Sequence, residues 1–287
     1  MIVHGDAIEG LKKIQTETVD CIISDPPYNI GKDFGNNKTK QEIQEYIDWT
    51  MLWYNECKRI LKPSGTLFIY GFSEVLAHVS TNIDLDHRWL IWHYTNKTVP
   101  SLNFWQRSHE SVLCCWKDKS QRIFNRDDVR EPYTDTYVKG YKNTKRKRPG
   151  TKGRFGSTET SYVVNDKGAL PRDVLKVSSL AGGSGQRFFY SPSLNELLTS
   201  KQVKERQISD AISHPTQKPI ALTEKLLDSC VTTNPTIVIP FSGTGSEAFV
   251  CEHRGYSWTS FELNQDYVNM GNLLIQNGFP KNKRKTK

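Results

Sequence analysis

Long apolar runs are missing from this chain. Nothing in its 287 residues approaches the length that crosses a bilayer, so no membrane partner is expected. The start, Met1-Ile2-Val3-His4-Gly5-Asp6, lacks the basic flank and apolar core of a signal peptide, and a cytoplasmic protein is expected. The six cysteines form no CxxC pair and show no Cys/His spacing suited to zinc. No metal is expected, and Cys21 and Cys114, set in apolar runs, read as inert buried thiols. There is no internal repeat, which leaves one large α/β domain or a core domain with an insertion.

Acidic residues are scarce in one region. Residues 106–206 hold 21 Lys and Arg against 11 Asp and Glu, a balance of +10, which leaves −2 for the rest of a chain of net charge +8. Inside it, Lys139 to Arg154 carries eight basic residues and no acidic one. A stretch this polar builds no core, so it reads as a surface loop or arm. It is either a solvated basic face or a face that binds a polyanion through its phosphates.

What is present is an alternation of strand and helix signals. Ala7–Ile14 has helical spacing, and Val19–Ser24 reads as a buried strand. Gln41–Leu61 reads as a long helix with Ile43, Tyr46, Ile47, Thr50, Trp53, Tyr54 and Cys57 on its apolar side. Lys62-Pro63-Ser64-Gly65 stops it, and Thr66–Tyr70 is the next strand. Trp89–Tyr94 and Ser111–Trp116 read as further strands, after which residues 118–213 show little period. Order resumes with a helix from Pro219 to about Cys230 and a strand at Thr236–Ile239. A helix to about Arg254, a strand at Tyr256–Glu262 and a helix from Asn264 complete the pattern. Such alternation argues for an α/β fold, a parallel sheet covered by helices.

Two loops carry candidate chemistry. Phe241-Ser242-Gly243-Thr244-Gly245-Ser246 follows a strand and opens a helix. Glycines there let a nucleotide-like ligand approach the backbone. Glu262 ends the next strand, seventeen residues after Gly245, where a carboxylate can accept both hydroxyls of a ribose. This pattern suits a nicotinamide dehydrogenase as well as a methyltransferase, and a purely structural glycine turn is the plain alternative.

The second loop is Asp25-Pro26-Pro27-Tyr28, whose two prolines end the preceding strand in a rigid turn. It has what transfer to an exocyclic amine needs. The amine lone pair is conjugated with its ring and is a poor nucleophile. Asp25 and the Pro26 carbonyl can each accept one N–H and draw the nitrogen toward tetrahedral shape. Tyr28 offers a flat face to a base taken out of a helix. A proline turn that merely ends a strand is the plain alternative.

Together these segments resemble the β-order amino-methyltransferases of restriction–modification systems, the N6-adenine/N4-cytosine family. In that family the catalytic tetrapeptide comes first, a target-recognition region follows, and the cofactor loop lies near the C-terminus. The resemblance implies a Rossmann-like methyltransferase sheet with circularly permuted motif order. It divides the chain into a catalytic part at 1–117, a basic target-recognition insertion at 118–213, an S-adenosylmethionine-binding part of the same domain at 214–279 and a basic tail at 280–287.

The resemblance also implies roles for single residues. Gly5-Asp6-Ala7 resembles the segment that meets the cofactor adenine, with Asp6 as the match. His214-Pro215-Thr216-Gln217-Lys218-Pro219 resembles the motif that helps hold the methionine end. Phe241 to Ser246 resembles the cofactor loop, and Glu262, followed by Leu263, the ribose-binding acid. Arg59–Leu67 resembles the segment after the catalytic turn, and Ser108-His109-Glu110-Ser111 the family's His-Glu segment leading to a strand. One position departs from the pattern: the family usually has Asp directly before the Pro-Phe of the cofactor loop, and here that place is Ile239.

The expected activity is methyl transfer from S-adenosylmethionine to adenine N6 in double-stranded DNA, because family members whose tetrapeptide starts with Asp mostly take adenine. Cytosine-C5 methylation needs a cysteine nucleophile, typically after proline, and no Pro-Cys pair occurs. Cytosine N4 or RNA on the same scaffold stays open, as does an inactive DNA-binding homologue, which Ile239 would suit. Lys142, Lys145, Arg146, Lys147 and Arg148 are expected to contact phosphates. The loop at 31–38 is expected to order on DNA. A cognate restriction endonuclease acting separately and a monomer or homodimer complete the expectations.

Overall fold

A computed structural model describes residues 1–29, 41–96, 101–141, 146–147, 161–162, 165–180 and 185–281. The chain begins with β1 (Val3–His4), α1 (Ala7–Leu11), β2 (Val19–Ser24), α2 (Ile43–Ile60) and β3 (Leu61–Gly71). Next come α3 (Ser73–Ser80), β4 (Asp86–His93), β5 (His109–Trp116), α4 (Asp135–Tyr141), β6 (Arg146–Lys147) and β7 (Ser161–Tyr162). Then follow β8 (Val174–Lys176), β9 (Phe189–Ser191), β10 (Glu196–Leu198), α5 (Ser200–Glu205) and α6 (Ile220–Cys230). The last are β11 (Thr236–Ile239), α7 (Ser246–His253), β12 (Ser257–Glu262) and α8 (Gln265–Asn277).

Eight strands form one sheet in the order β1-β12-β11-β2-β3-β5-β4-β8. Every neighbouring pair is parallel except those made by β5, which runs antiparallel to both β3 and β4. The reversal has a functional consequence. The carboxyl ends of β1, β12, β11 and β2 share one edge of the sheet with the amino end of β5. Ligands of open α/β sheets bind at this edge.

The sheet is apolar on both faces, as a helix-covered sheet must be. Phe68 and Tyr70 of β3 pack on one side with Leu222, Leu226 and Leu227 of α6. Leu67 and Ile69 point to the other side, with Trp53, Tyr54 and Cys57 of α2. The buried face of α2 matches its sequence pattern, except that Ile43 at the first turn is exposed. β3 starts earlier than expected: Leu61 already pairs with Val19, and the register shifts before Cys21 meets Thr66. That bulge takes up the Lys62–Gly65 breaker within the strand. No helix among the described residues is long and apolar enough to cross a membrane.

Residues 118–213 are more ordered than their weak period suggested. Strands of three residues are too short to show a period, yet β8 adds an edge to the main sheet beside β4. β9 and β10 pair antiparallel, and Phe188, Tyr190 and Leu197 pack with Tyr267, Met270 and Leu274 of α8. Chain contacts place 173–287 with residues 1–124, and only 125–172 forms a unit of its own, narrower than the 118–213 insertion.

Within that small unit Glu131 and Ala169 bridge antiparallel. Arg130 donates to Asp127 at 2.7 Å and to the Gly168 carbonyl at 2.7 Å. Tyr133 and Tyr137 stack with centroids 4.6 Å apart. β6 and β7 pair through Arg146 and Tyr162.

Candidate active site

The turn after β2 is wired by charge. Asp25 Oδ2 lies 2.9 Å from Lys218 Nζ, and Asp25 Oδ1 accepts the Tyr28 hydroxyl at 2.6 Å. The same hydroxyl lies 3.1 Å from Glu110 Oε2, which is also 3.5 Å from Lys218 Nζ. Lys218 donates a further bond to the Thr216 carbonyl at 3.2 Å. Tyr28 and Lys218 are 2% and 3% exposed, so these groups satisfy one another rather than water. Burial pulls the Lys218 ammonium toward neutrality, but the Asp25 and Glu110 carboxylates outweigh it and raise its pKa. Burial first, then Asp25 and Glu110, push the Tyr28 phenol well above its usual value. Lysine therefore stays charged and tyrosine stays a donor.

The turn itself is rigid. The Pro27 carbonyl accepts the Tyr46 hydroxyl of α2 at 2.8 Å, which ties the turn to the covering helix. Among the described residues nothing donates to the Pro26 carbonyl. Tyr28 does not present an open face: its ring meets Phe72 edge-on at 5.1 Å, and the Lys218 ammonium lies 5.1 Å from its centroid. A stacking role requires the side chain to turn. The loop at 31–38 lies outside the described residues.

The glycine loop is held by backbone amides instead. Ser242 N–H donates to the Phe261 carbonyl of β12 at 2.8 Å, and Gly245 N–H to the Ser242 carbonyl at 2.8 Å. Gly243 and Gly245 have φ of +50° and +78°, which glycine adopts without strain. A Cβ on Gly245 would lie 2.8 Å from the Cα of Gly271, so loop and α8 touch backbone to backbone. Thr244 and Ser246 share a hydroxyl hydrogen bond at 2.8 Å. Phe241 wedges between Trp49 and Trp53, with centroids 5.7 and 5.6 Å away.

Around the loop stand the other expected residues. Glu262 at the end of β12 accepts Gly243 N–H and Asn264 N–H, each at 2.9 Å, one on each oxygen. Burial raises its pKa. Leu263 is exposed, and its carbonyl accepts His4 Nε2–H at 3.0 Å. Asp6 caps α1 through Oδ1, at 2.9 Å from Ile8 N and 3.1 Å from Glu9 N, with Ala7 buried behind it. The His214 ring lies against Gly243. Burial lowers its pKa to about 4, which leaves Nδ1 neutral to accept Thr216 N–H at 3.3 Å.

Two acids at this edge were not singled out as site residues. Glu110 precedes an apolar run, and only the reversal of β5 brings it beside Tyr28 and Lys218. Glu247 sits in the first turn of α7, 4% exposed, with Oε1 unpartnered among the described residues. Burial, then Asp25, raises its pKa from 4.5 to about 7. The sequence signal is an acid set between Ser246 and the apolar Ala248 and Phe249, directly after the glycine loop. Ile239 is core, 1% exposed, so the family's Asp position is apolar here. Lys142, Lys145 and Arg148 lie outside the described residues, and Arg146 and Lys147 are described only as backbone of β6.

A mostly parallel, helix-covered sheet brings the glycine loop, the strand-end acid and the charged proline turn to one edge. The chain matches the DNA methylase family N6_N4_Mtase over residues 19–273, and it belongs to that family. It is 26% identical to the type II methyltransferase M.HpaI of Haemophilus parainfluenzae, over 97% of this chain and 74% of that one. It is 27% identical to the DNA adenine methyltransferase YhdJ of Escherichia coli K12, over 94% of this chain and 80% of that one. Its fold is that of the cytosine-N4-specific PvuII DNA methyltransferase, with a TM-score of 0.61, 17% identity and coverage of 98% and 86%. The M1.HpyAVI–SAM complex has the same fold, with a TM-score of 0.53, 18% identity and coverage of 95% and 98%. The chain is thus a DNA methyltransferase of the N6/N4 family.

Proposed function

We propose that this protein methylates adenine N6 in double-stranded DNA, with S-adenosylmethionine as donor. The observation that carries the reading is the junction at Lys218. This one ammonium, from the segment before α6, pairs with Asp25 of the proline turn on the same sheet edge as the glycine loop. β2 and β11 pair in parallel, so the turn after one and the glycine loop after the other leave the sheet side by side.

The residues of the loop suit the donor. Gly243 and Gly245 leave the backbone uncovered, Glu262 offers a carboxylate to the ribose hydroxyls, and Asp6 stands at the adjoining end of β1. Thr216, His214 and Lys218 bound the methionine side, with Phe241, Ser242, Thr244, Ser246, Ala7 and Leu263 completing the wall. When bound, S-adenosylmethionine supplies an electrophilic methyl group.

The protein's part is to make the amine receptive. Asp25 and the Pro26 carbonyl accept its two N–H groups, and Pro27, tied to Tyr46, keeps that carbonyl in place. Asp25 and Glu110 carry two negative charges against one on Lys218, a field that favours a nitrogen gaining positive charge. Adenine rather than cytosine is argued from Asp25 as first residue of the tetrapeptide. The basic run around Lys142, Lys145, Arg146, Lys147 and Arg148 supplies phosphate contacts that offset the few kcal/mol of base flipping.

Tritiated methyl transfer to DNA followed by nucleoside analysis tests the reading. N6-methyladenine is the expected product. N4-methylcytosine alone would overturn adenine, and binding without transfer would mark an inactive homologue.

A further inference from the structure

The Tyr28 hydroxyl has one proton and two carboxylate acceptors. It points at Asp25 Oδ1 at 2.6 Å, with Glu110 Oε2 next at 3.1 Å. Asp25 Oδ2 is meanwhile paired with Lys218 at 2.9 Å. Both oxygens of the carboxylate that should receive the incoming amine are therefore engaged. Tyr28 is buried, so no water replaces Asp25 as its partner. A buried hydroxyl left without an acceptor costs on the order of a tenfold factor or more.

We propose that Glu110 is a positioning residue that takes over the Tyr28 hydroxyl when a base enters, and so releases Asp25 Oδ1 for the amine. The inference rests on the methyltransferase reading above. The move is short, because Glu110 Oε2 already lies within hydrogen-bond reach. It involves no bond making at carbon or nitrogen: one O–H···O contact is exchanged for another, and the proton stays on the phenol. It also couples base entry to the turn of the Tyr28 ring that stacking requires. Glu110 can serve because Lys218, 3.5 Å away, balances its charge throughout. The reversed β5 strand is what puts this second acceptor at the reacting edge.

The test is a double-mutant cycle on the full-length protein with duplex DNA carrying its target. Glu110→Gln keeps the shape but offers a neutral, weaker acceptor. It is expected to lower kcat about tenfold while the Kd for S-adenosylmethionine, measured by calorimetry, moves less than about twofold. Tyr28→Phe removes the hydroxyl, so Asp25 is already free. In that background Glu110→Gln is expected to cost only the part its charge contributes, about threefold or less, and clearly less than beside the native Tyr28. Glu110→Asp, which keeps the charge, should recover part of the lost kcat.

An equal loss in both backgrounds would overturn the relay and leave Glu110 as a partner of Lys218 only. A wild-type kcat in Glu110→Gln would also overturn it. Failure of the wild-type protein to methylate any DNA would instead sink the methyltransferase reading, a result visible before any variant is made. Thermal unfolding of each variant separates a folding defect from either outcome.

Discussion

The edge around Asp25 and the basic run around Arg146 belong to one chain but obey different physics. Around the proline turn the charges are paired: Asp25 with Lys218, Lys218 with Glu110, and both carboxylates with Tyr28. In the 125–172 unit three of the described acids meet cations near its ends: Asp127 meets Arg126 and Arg130, Asp128 meets Lys167, and Glu131 meets Arg172. The run from Lys139 to Arg154 then has no acid of its own to pair with. Paired, buried charge holds geometry to tenths of an ångström, and surplus charge attracts a polyanion without fixing anything. The proposed function accordingly puts the chemistry at the first and affinity for DNA at the second.

The largest effect should come from breaking the edge at its centre. Asp25→Asn is expected to lower methyl transfer by at least about a hundredfold, ~3 kcal/mol, because the amine loses its charged acceptor. Donor affinity should move by less than about tenfold. Single-turnover transfer with calorimetric donor binding checks both, and unchanged turnover would remove Asp25 from the mechanism.

Lys218→Met should act on stability as much as on rate. It leaves the Asp25 and Glu110 carboxylates buried together without a cation, at a cost of about 3–5 kcal/mol. Protonation would relieve that unpaired negative charge, so lost stability should return as the pH is lowered. Urea midpoints at several pH values measure this, and a variant as stable as wild type at pH 8 would show the pair to be idle.

Glu247 predicts a milder pH effect in the unaltered protein. Its folded pKa, about 7, exceeds the ordinary 4.5, with burial as the main cause. A raised carboxyl contributes stability that is complete below the unfolded value and lost as pH rises through the folded one. Stability should therefore fall between pH 5 and 8, by up to about 3 kcal/mol. Glu247→Gln should flatten that slope, and an equally steep profile in the variant would assign the slope elsewhere.

The contrast also explains what could be read in advance. The parallel sheet was legible because Cys21–Ile23 and Ile237–Ile239 are short apolar runs rich in β-branched residues, and α2 because its buried residues recur at helical spacing. The Asp25–Tyr28 turn and the Phe241–Ser246 loop were legible because both are local: neighbours in sequence do the work. Glu110 was visible as a His-Glu motif but not as a member of the Lys218 cluster, since only strand order brings residues 82 positions apart within 3.1 Å. Tyr28 read as an open ring because exposure depends on Phe72 and Lys218, which no local pattern reveals. β8 and β9 escaped notice because three residues make no period.

The smallest effect belongs to the basic run, and it separates the two regions most cleanly. If Arg148 contacts a phosphate, Arg148→Ala releases one fewer counterion on binding. The slope of log affinity for DNA against log salt should then shrink by about 0.9. Binding should weaken by a similar factor on every duplex, since a phosphate carries no sequence information. The single-turnover rate at saturating DNA should stay within about twofold, because no charge at the Asp25 edge has changed. Titrations at several salt concentrations on target and non-target duplexes provide the measurement. A loss confined to the target duplex would mean that Arg148 reads a base, and an unaltered slope would mean that the run is a solvated face.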